Sequence, residues 1–113
     1  MNKREFNKNV RYLEDNDIRF LGRAWDDEKF SAELETYTNA GEDMVFTLHE
    51  LSKQSLQEYI DNFDINEEVM MWWRDGEDAA HEAGVPFMNI RDHYYDYEDF
   101  LDTLQEVCDN MPY

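Results

Sequence analysis

Near the end of the chain, apolar residues repeat three or four positions apart, which is the spacing of one face of an amphipathic helix. They are Tyr97, Phe100, Leu101, Leu104, Val107, Cys108 and Met111. This stripe predicts a helix over about 94–110. A second apolar stripe follows Ser52, whose hydroxyl can cap a helix start, and it predicts a helix over 53–63.

The segment at 30–49 has a different pattern, because apolar and polar residues alternate in part on both sides of a turn signal at 39–41. A period of two is typical of strands, so we predict a β-hairpin here. A helix that starts at Asp26 is the alternative. Threonine and tyrosine at 36–38 favour the hairpin.

The remaining segments have less regular patterns. Apolar residues at 6, 10 and 13 predict a short N-terminal helix, and residues 18–24 could form a short strand. A longer helix is predicted to begin after Asp64 and to stop at the glycine and proline of 84–86. Gly76 could break this helix, and residues 69–73 could form a strand by themselves.

Together these elements predict an α+β fold in which a small antiparallel β-sheet, chiefly the hairpin at about 30–49, is packed by three or more α-helices. The chain of 113 residues is long enough for one core and contains no Pro-, Gly- or Ser-rich linker, so we expect a single domain. Its apolar content of 42% excludes a disordered acidic tail.

The charge of the chain is strongly negative and unevenly distributed. There are 28 Asp and Glu residues against 10 Lys and Arg residues, which gives a formal net charge of -18. Residues 1–29 contain seven residues of each sign and are neutral, whereas residues 30–113 contain 21 acidic and three basic residues. We therefore divide the domain into a neutral N-terminal segment and an acidic body, which indicates a surface with a binding role.

Two rows of carboxylates are predicted on the last helix. The first row is Glu98, Asp102, Glu106 and Asp109, and the second is Asp92, Asp96 and Asp99. Like charges four residues apart destabilise a helix by a few tenths of a kcal/mol per pair, and this helix has no Lys or Arg after Arg91 to offset them. Such a row can be a solubilising face. The charge imbalance of the whole body favours a phosphate-like array that binds a basic partner.

A second acidic cluster surrounds a run of large apolar residues. Its members are Glu67, Glu68, Asp75, Glu77, Asp78 and Glu82. The apolar run is Met70, Met71, Trp72 and Trp73, and four consecutive residues cannot all face inward on one helix. Aromatic residues and methionine are common at the centres of interfaces. We therefore predict Trp72, Trp73 or the cluster around Tyr95 as the apolar anchor of a partner, although burial of the whole run is equally compatible with the pattern.

No catalytic motif is present: the sequence has no Walker loop, no GxGxxG and no GxSxG. Cys108 lies on the apolar face of the last predicted helix, where burial raises a thiol pKa and disfavours a nucleophile. His49, His81 and His93 lie on separate segments, and His93 is expected to be exposed or partly buried. Residues 64–75 fit a calcium-loop template poorly. We therefore expect no enzymatic activity, no cofactor and no metal site.

The single cysteine allows no internal disulfide and is typical of a reducing cytoplasm. No apolar run approaches the ~20 residues of a membrane span. The first ten residues contain no hydrophobic signal core. We therefore expect a cytoplasmic protein whose anionic surface binds neither membranes nor nucleic acids directly.

Three stretches of the chain, 41–51, 59–69 and 84–104, carry a family resemblance. Their sequences are GEDMVFTLHEL, YIDNFDINEEV and GVPFMNIRDHYYDYEDFLDTL. They resemble small acidic proteins of bacterial mobile elements and phages, and none of these motifs is catalytic. In size and charge the chain is also similar to antirestriction proteins and acidic anti-CRISPR proteins, which mimic DNA. The resemblance implies a counter-defence role in the cytoplasm of a bacterial host cell.

The hypothesis that we favour is an acidic inhibitor that binds the basic nucleic-acid-binding groove of a nuclease as a DNA mimic. A CRISPR effector or a restriction enzyme is the expected partner, and the chain could also form a homodimer. The alternative is an acidic adaptor or regulatory subunit that docks on a basic partner without imitating DNA.

Overall fold

The computed structural model describes residues 1–21, 30–84 and 89–113, with the exception of the side chain of Trp72. The elements in these ranges are, in chain order, α1 (Lys3–Asp15), β1 (Arg19–Phe20), β2 (Ala32–Tyr37), β3 (Asp43–Leu48), α2 (Lys53–Asn62), α3 (Ile65–Ala83) and α4 (Ile90–Asp109). The three strands form one antiparallel sheet in the order β1-β2-β3. The α+β prediction is therefore confirmed.

The predicted hairpin is formed by β2 and β3, which pair with Leu34 opposite Phe46. Alternate side chains of both strands point into the core, as the period of two requires. Gly41 has a φ of 88° in the connecting turn, a conformation that costs glycine little. The alternative helix from Asp26 is wrong over residues 32–37, and its first residues lie outside the described ranges, as does Ala24 of the predicted short strand.

The three principal helices follow the predicted pattern with small differences at their ends. Ser52 caps α2 by accepting the N–H of Ser55. α4 begins at Ile90, earlier than predicted, because the side chain of Asn89 caps it by accepting the N–H of Asp92. α3 is continuous through Gly76, so neither the predicted break nor the alternative strand at 69–73 forms.

The core lies between the inner face of the sheet and the apolar stripes of the helices. The buried face of α4 contributes Tyr97, Phe100, Leu104, Val107 and Cys108. In the same core, Phe46 of β3 stacks on Tyr59 of α2 with ring centroids 4.3 Å apart. Because α4 buries one face in this core, its other face is held outward in a fixed orientation.

The molecule is elongated, with extents of 50 × 26 × 22 Å. Its radius of gyration of 15.7 Å exceeds the ~13 Å of a compact domain of this length. The second half of α3 contributes to this shape, because most of its described side chains from Met71 to Ala83 are exposed and Ala80 is the buried exception.

Candidate functional site

The first predicted row of carboxylates lies on the solvent side of α4. We call it the α4 row: Glu98, Asp102, Glu106 and Asp109, all exposed. Successive members are three or four residues apart, which corresponds to a rise of about 4.5–6 Å along the helix axis. The α4 row is therefore a linear array of negative charge on a helix whose opposite face is anchored in the core.

A chain of side-chain hydrogen bonds extends this acidic surface from α4 onto α2. The side-chain amide of Gln105 donates to Asp109 at 2.9 Å and to Oε1 of Gln57 of α2 at 2.6 Å, and its own Oε1 accepts from the amide of Gln57 at 2.8 Å. Gln57 in turn donates to Asp61 at 2.9 Å. Asp61 is exposed and belongs to the same surface as the α4 row. Asp61 was not predicted as part of this surface, because nothing in the local sequence pattern places α2 beside α4.

The second predicted row is broken at its centre. Asp92 and Asp99 are exposed, but Asp96 is buried, and the prediction that it belongs to a surface row is wrong. Its Oδ1 accepts the backbone N–H of Ala40 at 3.0 Å, so Asp96 satisfies a donor in the hairpin turn. It stabilises the contact between the hairpin and α4 instead of facing a partner.

His93 and Tyr97 strengthen the same contact through Glu42, the residue that follows the turn. Nδ1 of His93 lies 2.7 Å from Oε1 of Glu42, and the Tyr97 hydroxyl donates to Oε2 at 2.6 Å. Burial and this hydrogen bond raise the pKa of the Tyr97 hydroxyl above its ordinary value. His93 is almost fully buried, so its prediction as an exposed or partly buried residue is wrong. These contacts orient α4, and with it the α4 row.

Glu67 and Glu68 lie in a separate cleft between β3, α2 and α3. The cleft has a volume of about 620 Å³, and carboxylates of Asp43 and Asp64 also line it. Loss of solvation, together with the nearby charges of Glu67 and Asp64, raises the pKa of Glu68 above its ordinary value. The rings of Tyr59 and Phe63 form apolar parts of the wall. This acidic cleft thus combines concentrated negative charge with aromatic surface.

Lowering the pH from 7 to about 5 is expected to raise the melting temperature, in part through Glu68. A carboxyl group with a raised pKa in the folded state binds its proton more tightly there than in the unfolded chain. Its charge therefore destabilises the fold above the folded-state pKa, and this cost is relieved as the pH falls through that value toward the ordinary 4.5.

Thermal unfolding followed by circular dichroism at constant ionic strength measures this effect. The variant Glu68→Gln should show a smaller rise in melting temperature than the wild type. Glu82→Gln, on the same helix but outside the cleft, is the control and should behave as the wild type does. An equal rise in Glu68→Gln and wild type would contradict the role given to Glu68.

The other predicted site residues lie on the exposed part of α3. Asp75, Glu77 and Asp78 are exposed there, Trp73 is half-buried, and the side chain of Trp72 lies outside the described set. The neighbouring Met70 and Met71 are exposed, so the expected partial exposure of the apolar run is confirmed. Of the predicted aromatic anchors, Tyr95 is the most accessible among the described side chains.

Burial raises the pKa of the Cys108 thiol above its ordinary value, as its position on the apolar face predicts. Within the described ranges, no three side chains of His, Cys, Asp or Glu are grouped so that they could hold a metal ion. No helix in those ranges is both long and apolar enough to cross a membrane.

Comparison of the chain with known proteins gives no match to a family model, to a curated protein or to a solved structure. The geometry and charge of the surfaces described above are therefore the observations that bear on its function.

Proposed function

We propose that the protein is a counter-defence inhibitor that binds the basic nucleic-acid-binding groove of a nuclease, of the CRISPR effector or restriction enzyme type, as a DNA mimic. It acts in the cytoplasm of a bacterial host cell. The observation that carries the proposal is the α4 row, an exposed array of four carboxylates on a helix held firmly against the core.

The charge density of the whole molecule supports this proposal. A net charge of -18 along a longest dimension of 50 Å corresponds to one net negative charge per about 2.8 Å. Duplex DNA carries one charge per ~1.7 Å of axis, and one strand carries one per ~3.4 Å. The linear charge density of the protein therefore lies between that of one strand and that of the duplex. A groove that binds nucleic acid is complementary to a charge density in this range.

The arrangement of the α4 row supports the same reading on energetic grounds. Asp102 has acidic neighbours four residues away on both sides, Glu98 and Glu106, and each such pair costs the helix a few tenths of a kcal/mol. Alternating lysine would remove that cost and keep the surface soluble. A row that is unfavourable for the helix is instead suited to a basic partner, which neutralises it on binding.

The experiment that tests the proposal is displacement by nucleic acid. The immobilised protein is incubated with a bacterial lysate from which nucleic acids have been digested, and the retained proteins are then challenged with duplex DNA or with polyglutamate of equal total charge. A DNA mimic and DNA compete for one groove, so DNA should release the retained nuclease at concentrations at which polyglutamate does not. Retention should also fall as salt is raised from about 0.15 M to about 0.5 M.

The alternative function, an acidic adaptor or regulatory subunit, gives a different result in the same assay. An adaptor docks on a basic surface that is not a nucleic-acid groove, so DNA and polyglutamate of equal charge should release its partner equally. That outcome would overturn the mimic proposal. If DNA instead releases the nuclease selectively, inhibition of the purified nuclease on a DNA substrate should be relieved by added substrate, which would confirm competition directly.

A further inference from the structure

An apolar groove lies where the first turns of α3 and α4 pack together. Its volume is about 490 Å³, and its apolar lining comes from Val69 and Met70 of α3 and from Ile90, Tyr94 and Tyr95 of α4. Arg91 and Asn66 complete the lining. We call this surface the apolar groove, and it shares no lining residue with the acidic cleft or with the α4 row.

Of the five apolar side chains that line the groove, only Val69 is buried and the other four are exposed. Met70 is 45% exposed, Ile90 41%, Tyr94 37% and Tyr95 55%. Single exposed apolar residues are ordinary on a protein surface, but a contiguous group of them marks an interaction site. Methionine and tyrosine are also the residue types that adapt to, and are enriched in, interface centres.

The rim of the apolar groove determines the charge of its occupant. Glu67 precedes Met70 by three residues, and Glu98 and Asp99 follow Tyr94 and Tyr95 by four, so exposed carboxylates flank the groove on both helices. These three carboxylates outnumber Arg91, the one charged residue in the lining itself. A second copy of this chain, with its charge of -18, would meet a rim of like charge. The rim is complementary to an occupant that carries lysine or arginine beside its apolar side chains.

The geometry favours a helix as the occupant. Two packed helices leave a groove between them into which the ridge of a third helix fits, and the lining residues are spaced three or four apart on each helix. We propose that the apolar groove receives a basic amphipathic helix of the partner protein, whose apolar side chains enter the groove while its lysine or arginine residues contact the rim. This inference deepens the proposed function and rests on it for the identity of the partner as a basic protein.

The test uses two synthetic peptides of equal composition. One is an amphipathic Leu/Lys helix of about 18 residues, or five turns. The other is its shuffled isomer, which has the same charge but no apolar face. Fluorescence anisotropy with the full chain should show that the amphipathic peptide binds about ten-fold tighter than the isomer, because only it can place apolar side chains in the groove while both contact the rim.

Variants connect that preference to the groove. Met70→Ser combined with Tyr95→Ser should reduce the ten-fold preference to less than about two-fold and leave binding of the shuffled isomer unchanged. The control combines Met71→Ser with Tyr37→Ser, two residues of equal type and similar exposure that do not line the groove, and it should keep the preference. The melting temperature of each variant, measured beforehand, checks that the fold is intact.

Three outcomes overturn the inference: equal binding of the two peptides by the wild type, a preference retained by the groove variant, or a dimer in sedimentation velocity that the groove variant abolishes without any peptide preference. The last outcome assigns the groove to a second copy. A peptide preference that survives while DNA fails to displace the captured partner would mean that the proposed function has failed and the groove inference stands. DNA displacement without a peptide preference would mean that the groove inference has failed and the proposed function stands.

Discussion

Replacement of Asn9 by alanine is expected to lower the free energy of unfolding by about 2–4 kcal/mol. The side chain of Asn9 is fully buried on α1. Its Nδ2 donates to the carbonyl of Leu51 at 2.8 Å and to that of Tyr113 at 3.2 Å, and its Oδ1 accepts the N–H of Tyr113 at 3.3 Å. The side-chain amide of Asn9 therefore connects α1 to Leu51, which precedes α2, and to Tyr113.

The loss is large because alanine would leave these backbone groups without their partner in a site where the Leu51 side chain is also fully buried. Urea unfolding followed by circular dichroism measures the change. The control is Asn7→Ala, an exposed residue of the same helix, which should remain within about 0.5 kcal/mol of the wild type. If Asn9→Ala lowers the free energy of unfolding by less than about 1 kcal/mol, the contribution of one ordinary hydrogen bond, then water replaces the amide.

Reversal of two charges of the α4 row, in the variant Asp102→Lys/Glu106→Lys, is expected to weaken binding of the captured nuclease by on the order of 30-fold. Each reversal replaces an attraction to a basic groove by a repulsion, and about 1 kcal/mol per site gives that factor. Biolayer interferometry with the purified partner measures the affinity. Dependence on salt should also become weaker in the variant, because fewer charge pairs form on binding.

The control for this variant is Glu14→Lys/Asp15→Lys, which changes the net charge equally but at the exposed end of α1. If the total charge alone determines binding, both variants should lose the same affinity, and the assignment of the α4 row as the binding face would be wrong. The fold should tolerate the reversal. Asp102→Lys by itself replaces two repulsions, with Glu98 and Glu106, by two attractions and should stabilise α4 by about 1 kcal/mol.

Local periodicity predicted the elements of this fold well. The stripe from Tyr97 to Met111 and the alternation around the turn at 39–41 are each set by residues close together in the chain, because a helix or strand exposes its own repeat. The same repeat placed the α4 row on the solvent side, since the positions opposite the apolar stripe of a helix face outward. The largest of the small differences at the helix ends, the early start of α4, depends on Asn89 as a cap.

Burial of polar residues could not be predicted in this way. Asp96 and His93 lie in a polar stretch of the sequence, where burial is not expected. Their partners Ala40 and Glu42, in the hairpin turn and directly after it, are more than fifty positions away. Only these remote contacts make the two residues part of the interior. Asn9 is a similar case, because its partners Leu51 and Tyr113 come from distant segments. No local pattern reports which remote backbone groups need a hydrogen bond.

The sequence by itself determined the net charge, its confinement to residues 30–113 and the amphipathic character of α4, because these depend on composition and short-range spacing. Only the tertiary structure decided which carboxylates share a surface. It joined Asp61 to the α4 row, placed Glu67 and Glu68 in a separate cleft and removed Asp96 to the interior. The physical reason is that the position of a charge on a surface is set by the packing of helices, which brings together residues that the chain separates.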